Sequence, residues 1–361
     1  MKKQIYILTI ILSIFASCSN SEDNNKSVLL EGLLVPQENE PNLGTLFTEN
    51  LTITHLETTD ESLIGQIDKI IKFKGHYYIC SSRGRHIHRF NDEGKFISSL
   101  NNPGEGPEEY LRIEDFDVYE VNGEIEVWIS DNVSLKIYDA SDFSFKYKIP
   151  YPFMIHKFKR IDDSHILLVT GNSEYILTLS DEKGNVVSEY LEKEIPFIMF
   201  RANQFISYKS SYLFQLGVAN AYVAYNHDTN DFEKGVFAKE ESFITDRELL
   251  DLFEVNGIDY LGKINDDIYI NNMVMNNEII WILINNNRKR YLTKYFKGEM
   301  VSTEIPSNSF LSSFSMGVSD ESLLLYASPE QILEYEDELL DKYRNKTTYN
   351  SEDNPYILEF F

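Results

Sequence analysis

Gly75 and Gly123 stand 48 residues apart, and the residues that follow each repeat the same pattern. Gly75 is followed by Tyr77-Tyr78-Ile79-Cys80, His86-Ile87-His88-Arg89-Phe90-Asn91 and Lys95-Phe96-Ile97-Ser98-Ser99-Leu100. Gly123 is followed by Ile125-Glu126-Val127-Trp128-Ile129, Leu135-Lys136-Ile137-Tyr138-Asp139 and Phe143-Ser144-Phe145-Lys146-Tyr147-Lys148-Ile149, with Tyr138 at the same offset from Phe90. These are short runs rich in Ile, Val, Tyr and Phe, parted by turn signals such as Asp92-Glu93-Gly94 and Val121-Asn122-Gly123, and they read as strands. A looser echo continues through residues 162–190, 205–237, 276–296 and 320–360, so that six units fill the chain. A repeat of this length with four short strands is the signature of a β-propeller blade. One four-stranded sheet alone buries neither face, whereas blades packed radially bury both. The pattern therefore predicts an all-β, six-bladed propeller of antiparallel blades. Two β-sandwiches would not produce the echo. The sixth unit runs out of strands at Phe361, and Leu51-Thr52-Ile53-Thr54-His55-Leu56 is the segment expected to complete it, closing the ring and covering a sheet edge.

Two stretches break the strand pattern. From Glu241 to Phe253 the spacing of Leu249, Leu250 and Phe253 is helical, with Thr245 as the N-cap. From Pro329 to Asp341, after Ser328, the residues Ile332, Tyr335 and Leu339 share one side. Both are expected as helical insertions in loops of blades four to six, either framing a binding site or capping blade edges.

The N-terminus reads as a targeting signal. Lys2 and Lys3 precede an apolar run, Ile5 to Phe15, too short to span a bilayer as a helix, and Ala16-Ser17 suit a peptidase groove. Residues 1–17 are thus expected to be a signal peptide. Cys18 directly after them resembles a lipobox cysteine, whose thiol is acylated and becomes the first residue; the plainer alternative is a secretory signal with a chance cysteine. Ser19-Asn20-Ser21-Glu22-Asp23-Asn24-Asn25 is similar to the surface-export signal of Bacteroidetes lipoproteins, and would serve equally as a solvated spacer. On this reading residues 18–50 form a polar tether and lead-in, and 51–361 the propeller. The other cysteine, Cys80, lies in an apolar run and is expected to be a small buried residue.

The chain carries 58 Asp+Glu against 33 Lys+Arg, a net charge of -25; losing Lys2 and Lys3 with the signal leaves 58 against 31, or -27. A nucleic-acid partner is excluded on this balance, because a phosphate backbone needs a basic stripe and Arg288-Lys289-Arg290 is too small a cluster. Gly104-Glu105-Gly106-Pro107 lacks the Lys-Ser/Thr of a phosphate loop and reads as a turn between blades. His86 and His88 share a strand face and are a candidate metal pair, but no third ligand can be nominated. Ser134 and Lys136 occupy the matching positions of the next unit, which makes that face polar and solvated. No motif calls for a metal or other cofactor, and no catalytic residue is nominated. The candidate binding residues are Arg83 and Arg85, in a loop between strands, with Arg201 and Tyr212 in corresponding loops. Arginines placed this way in an acidic protein would meet an anionic or sugar ligand at one mouth of the channel. The 23 Tyr and 23 Phe fall mostly at strand positions and read as core rather than as sugar platforms.

The chain resembles the six-bladed β-propeller lipoproteins of Bacteroidetes, a TolB-like and NHL-like group. The resemblance is carried by Cys18, Ile64-Gly65-Gln66-Ile67-Asp68-Lys69-Ile70, Arg89-Phe90-Asn91-Asp92-Glu93-Gly94-Lys95-Phe96 and Gly104-Glu105-Gly106-Pro107-Glu108-Glu109-Tyr110. The group's pattern has glycine where Glu108 stands, and the ending Asp353-Asn354-Pro355-Tyr356-Ile357-Leu358 is similar to its last inner strand. It implies the fold and a place in the cell envelope, lipid-anchored to the outer membrane and facing the periplasm or the surface. The expected function is a non-catalytic binding or scaffolding module for a protein, peptide or glycan. The alternative is a metal-assisted hydrolase or lyase with its site in the channel.

Overall fold

The computed structural model describes residues 27–37, 51–192, 203–305, 317–334 and 350–361, except 82, 172, 209–210, 227–228, 230, 277–278 and 320–321. Six four-stranded antiparallel blades form a ring. From the channel outward, blade one is Ile67–Phe73, His76–Ser81, His86–Asn91 and Phe96–Leu100. Blades two to five follow the same inner-to-outer order, with innermost strands Asp115–Val121, Ile155–Arg160, Phe205–Tyr208 and Ile268–Asn276. Blade six takes Gly317–Val318, Leu323–Ala327 and Tyr356–Phe360 from the end of the chain and Leu51–His55 from its beginning. The ending Asp353-Asn354-Pro355-Tyr356-Ile357-Leu358, expected as a last inner strand, instead supplies the third strand from the channel, held between Leu323–Ala327 and Leu51–His55.

The echo has a local cause. Asn122 and Gly123 have φ of 53° and 84°, and Lys74 and Gly75 have 45° and 72°, the left-handed pair that a tight primed hairpin turn requires. Blade three makes the same connection with Asp162, whose carboxylate accepts from the backbone of Ser164 and His165, so its repeat lacks the glycine. Second strands such as Ile279–Asn286 are buried almost end to end, because the neighbouring blades cover both faces.

The closure is stapled by side chains as well as by the ladder. Leu51–His55 pairs antiparallel with Tyr356–Phe360 over five residues. Buried Asn354 accepts from the Ile64 N–H at 2.8 Å and donates to the Glu57 and Ser62 carbonyls at 2.8 Å each. Gly94, at φ +77°, lets the next blade approach this strand; a Cβ there would lie 2.0 Å from the His55 carbonyl oxygen.

Two expectations need correction. Residues 27–37 are not a free tether. Ser27–Val28 pairs parallel with Gly235–Val236 as a fifth, outermost strand on blade four, and Leu30 and Leu33, 0% and 2% exposed, pack in the core between blades four and five. The leucines in an otherwise polar lead-in account for the docking. The face of His86 and His88 is not solvated either: His88, Ser134 and Lys136 are all buried. A strand face that is open in an isolated sheet is covered in a ring by the adjoining blade.

His88 packs against His86, Phe90 and Phe96, and among the described residues neither of its ring nitrogens has a hydrogen-bond partner. Burial, and secondarily His86, pushes its pKa down to about 4. Unfolded histidine titrates near 6.5, so between about pH 6.5 and pH 4 the unfolded chain takes up a proton that the folded chain refuses. Stability should therefore be full above that window and fall by about 3 kcal/mol through it. Comparing pH–stability profiles from denaturant melts, His88→Leu should remove this drop; a variant profile parallel to the parent's would assign the drop to other groups.

The insertion after blade four begins with helix α1 (Asp246–Asn256), capped by Thr245 in a box with Glu248. Helix α2 (Tyr260–Lys263) follows, and Leu249, Tyr260 and Ile264 pack on Val218, Ala219 and Tyr269. Helix α3 (Pro329–Glu334) lies between the second and third strands of blade six; the rest of the expected helix, to Asp341, lies outside the described residues.

Candidate channel site

The innermost strands surround a channel cavity of about 950 Å³. Its wall includes Asp115, Asp117 and Tyr119 on blade two, Lys159 on blade three and Lys69 on blade one, and Lys157 of blade three stands beside Asp115. Asp115 Oδ1 accepts from Lys69 Nζ at 3.0 Å and lies 3.3 Å from Lys157 Nζ. Lys69 also donates to the Phe116 carbonyl at 2.6 Å. Deeper along the strands, Asp117 Oδ2 accepts from Lys159 Nζ at 2.8 Å and from the Tyr119 hydroxyl at 2.9 Å, while its Oδ1 accepts from the Val118 N–H. The Lys159 ammonium sits 5.5 Å from the Tyr119 ring and 5.6 Å from the Tyr212 ring.

Asp117 is buried, which raises its pKa, but Lys159, Lys69 and the hydrogen bonds outweigh burial and hold it below the ordinary carboxylate range. Burial opposes the charge on Lys159 in the same way, and Asp117 overcomes it and raises its pKa. Burial first and Asp117 second push the Tyr119 hydroxyl far above its usual value. At neutral pH these three groups are therefore fixed as carboxylate, ammonium and phenol. Such a set orients charge and hydrogen bonds toward a ligand but has no member poised to exchange a proton near pH 7.

Of the residues singled out in the sequence, Tyr212 lines this cavity, from the strand Ser211–Gln215 rather than from a loop. Arg83 and Arg85 are exposed in the connection after His76–Ser81 and do not line it. They follow the end of a second strand, whereas Tyr212 lies near the start of one, which puts them toward opposite ends of the channel. Arg201 and Cys18 lie outside the described residues. Cys80 is buried and its thiol is pushed up by desolvation. The Gly104–Tyr110 loop is a built turn between blades: Glu109 accepts from the Gly106 N–H, and the buried Tyr110 hydroxyl donates to the Arg85 and Leu100 carbonyls. The channel charges leave a signal in the sequence that strand alternation alone does not pick out. Asp115 and Asp117 are each followed 42 residues later by a lysine, opposite charges at one repeat position of consecutive units.

Among the described residues, no group of three or more His, Cys, Asp or Glu could hold a metal, and no helix is long and apolar enough to cross a membrane.

A family model described as a domain of unknown function, DUF4934, matches residues 35–360. The chain is similar in structure to a protein from Bacteroides fragilis described as exported, with a TM-score of 0.75, 18% identity, and 92% of this chain and 99% of that one covered. It is also similar to a member of the DUF4221 family from Bacteroides vulgatus, with a TM-score of 0.55, 11% identity, and 87% and 96% covered. At these identities the likeness is one of fold. No curated protein matches the chain.

Proposed function

The chain belongs to the DUF4934 family, and from that premise we propose that it is a non-catalytic binding module of the cell envelope. In this reading it is a TolB-like and NHL-like lipoprotein, held to the outer membrane by lipid on Cys18, that takes part of a protein, peptide or glycan into its channel. The observation that supports it is the cavity of about 950 Å³, near the upper end of the roughly 300–1,000 Å³ usual for ligand sites. Its buried Asp117 is held ionised by Lys159, a state suited to recognition rather than to proton transfer.

Ser207, on the innermost strand of blade four, is exposed in the channel wall and marks where the cavity can be blocked. Cys18→Ser should first release the protein from membranes; retention there would remove the lipid anchor from the reading. In that soluble form, the protein should retain a component from a fractionated envelope extract, read by mass spectrometry, and Ser207→Trp should lose it. Equal retention by both, or none by either, would end the channel-binding reading.

A further inference from the structure

Val255, Ile258 and Leu261 are 82%, 61% and 42% exposed, and among the described residues no other stretch as short exposes three large apolar side chains. Val255 stands at the end of α1, Ile258 in the 3₁₀ turn Gly257–Asp259 and Leu261 in the first turn of α2. They are spaced by three through a turn in which every third residue shares a side, so they form one patch at the tip of the insertion. Beneath the patch, Leu249, Tyr260 and Ile264 pack on Val218, Ala219 and Tyr269 and fix the insertion to the propeller. The backbone of the tip is satisfied within itself: Gly257 N–H donates to the Phe253 carbonyl, Tyr260 N–H to that of Gly257 and Ile264 N–H to that of Tyr260. A tip of this kind loses nothing by leaving water.

The course of the chain says what lies near it. Ser27 stands opposite Gly235 in the parallel ladder on blade four, and the neighbouring Lys234 forms an ion pair with Asp246, the first residue of α1. Cys18 is nine residues ahead of Ser27, a length that spans at most about 30 Å. Helix α1, with 11 residues, carries the patch about 16 Å from Asp246. A bilayer holding Cys18 is therefore within reach of the tip.

The patch fits other occupants poorly. A protein interface engages about 20–30 residues a side and is anchored by Trp, Tyr and Arg, whereas this patch is three aliphatic side chains. Pairing two copies of the chain through it would bring exposed Glu254 and Asp259 against their own duplicates. Lipid asks for no matching shape, only for apolar side chains with their backbone already paired.

We infer that Val255, Ile258 and Leu261 rest in the lipid surface that holds Cys18, so that the propeller is seated on the membrane at two points, its lipid and this tip. The inference rests on the Cys18 anchor of the proposed function and not on the channel.

The test couples the mature chain through its Cys18 thiol to maleimide-bearing phosphatidylethanolamine in phosphatidylcholine vesicles; the other cysteine, Cys80, is buried. Ile258→Trp places a reporter in the patch. Leu63→Trp places one at an exposed position ahead of blade one, across the ring from blade four. The native Trp128 and Trp281 are buried and give a background read from the parent. With brominated phosphatidylcholine in the vesicles, the indole at 258 should be quenched at least about threefold more than the one at 63, as for an apolar face sunk into the headgroup boundary. Adding Val255→Asp and Leu261→Asp should bring the quenching at 258 down to the level at 63 without moving the melt by more than a few degrees, because both positions are exposed. Equal quenching at 258 and 63, or quenching at 258 that survives the two aspartates, overturns the inference. So does a dimer of the Cys18→Ser chain in sedimentation that the two aspartates disperse, which would give the patch to a second copy. Release of Cys18→Ser from membranes reads the anchor and the coupled chain reads the tip, so the two fail separately.

Discussion

Deleting Tyr356 to Phe361 should leave a chain with no cooperative unfolding transition. Tyr356, Ile357, Leu358 and Phe360 are between 0% and 3% exposed. Fully burying side chains of this kind contributes about 1.5–3 kcal/mol each, so the four together carry roughly 6–12 kcal/mol. That is on the order of the whole stability of a folded domain, about 5–15 kcal/mol. The loss extends beyond the deleted residues, because this strand is the partner of both Leu323–Ala327 and Leu51–His55. Its removal opens two sheet edges and strands the N-terminal segment. Deleting Phe361 alone, which is 40% exposed, should cost little and serves as the control. Near-ultraviolet circular dichroism and a thermal melt decide the matter. A truncated chain that melts cooperatively within a few degrees of the parent would mean that the ring does not depend on this closure.

Lys159→Met should destabilise the protein by about 3–5 kcal/mol, the usual consequence of leaving one partner of a buried ion pair uncompensated. Asp117 is 7% exposed, and without Lys159 it would keep only the Tyr119 hydroxyl, the Val118 N–H and the more distant charge of Lys69. Adding Asp117→Asn removes the stranded charge while its side-chain oxygen still accepts from Tyr119. The double variant should therefore recover most of the loss, since buried pairs are often replaced by neutral groups at little cost. Urea midpoints of the parent, the single variant and the double variant provide the comparison. If Lys159→Met stays within about 0.5 kcal/mol of the parent, or the second substitution brings no recovery, the pair is not the constraint its geometry suggests.

The blades were readable because their turns use residues with few alternatives. A left-handed pair at 122–123 selects Asn-Gly, and the same position at 74–75 keeps the glycine, so the period survives in the letters. Where Asp162 makes the turn with its side chain, the period blurs although the blade is unchanged. The site was less readable because its chemistry belongs to no single segment. Asp115 and Asp117 look like exposed strand residues until the next blade brings Lys157 and Lys159 beside them. Tyr212, expected in a loop, reaches the channel from a strand. His88 failed for the complementary reason: alternation within one strand says which face it is on, and only the neighbouring blade decides whether that face meets water.

The strand at Ser27–Val28 also gives the molecule a mechanical order. A pull on the chain ahead of Ser27 meets the parallel ladder on blade four first, where the Leu29 and Leu30 N–H groups hold the Val236 and Phe237 carbonyls at 3.1 and 2.7 Å. It then meets Leu30 and Leu33, wedged between two blades. Only after these let go can tension pass along the chain to Leu51–His55, the strand on which the ring closes. The segment thus works as a cable clamp: load is taken up at the rim, and the closure it protects is the last part to feel it.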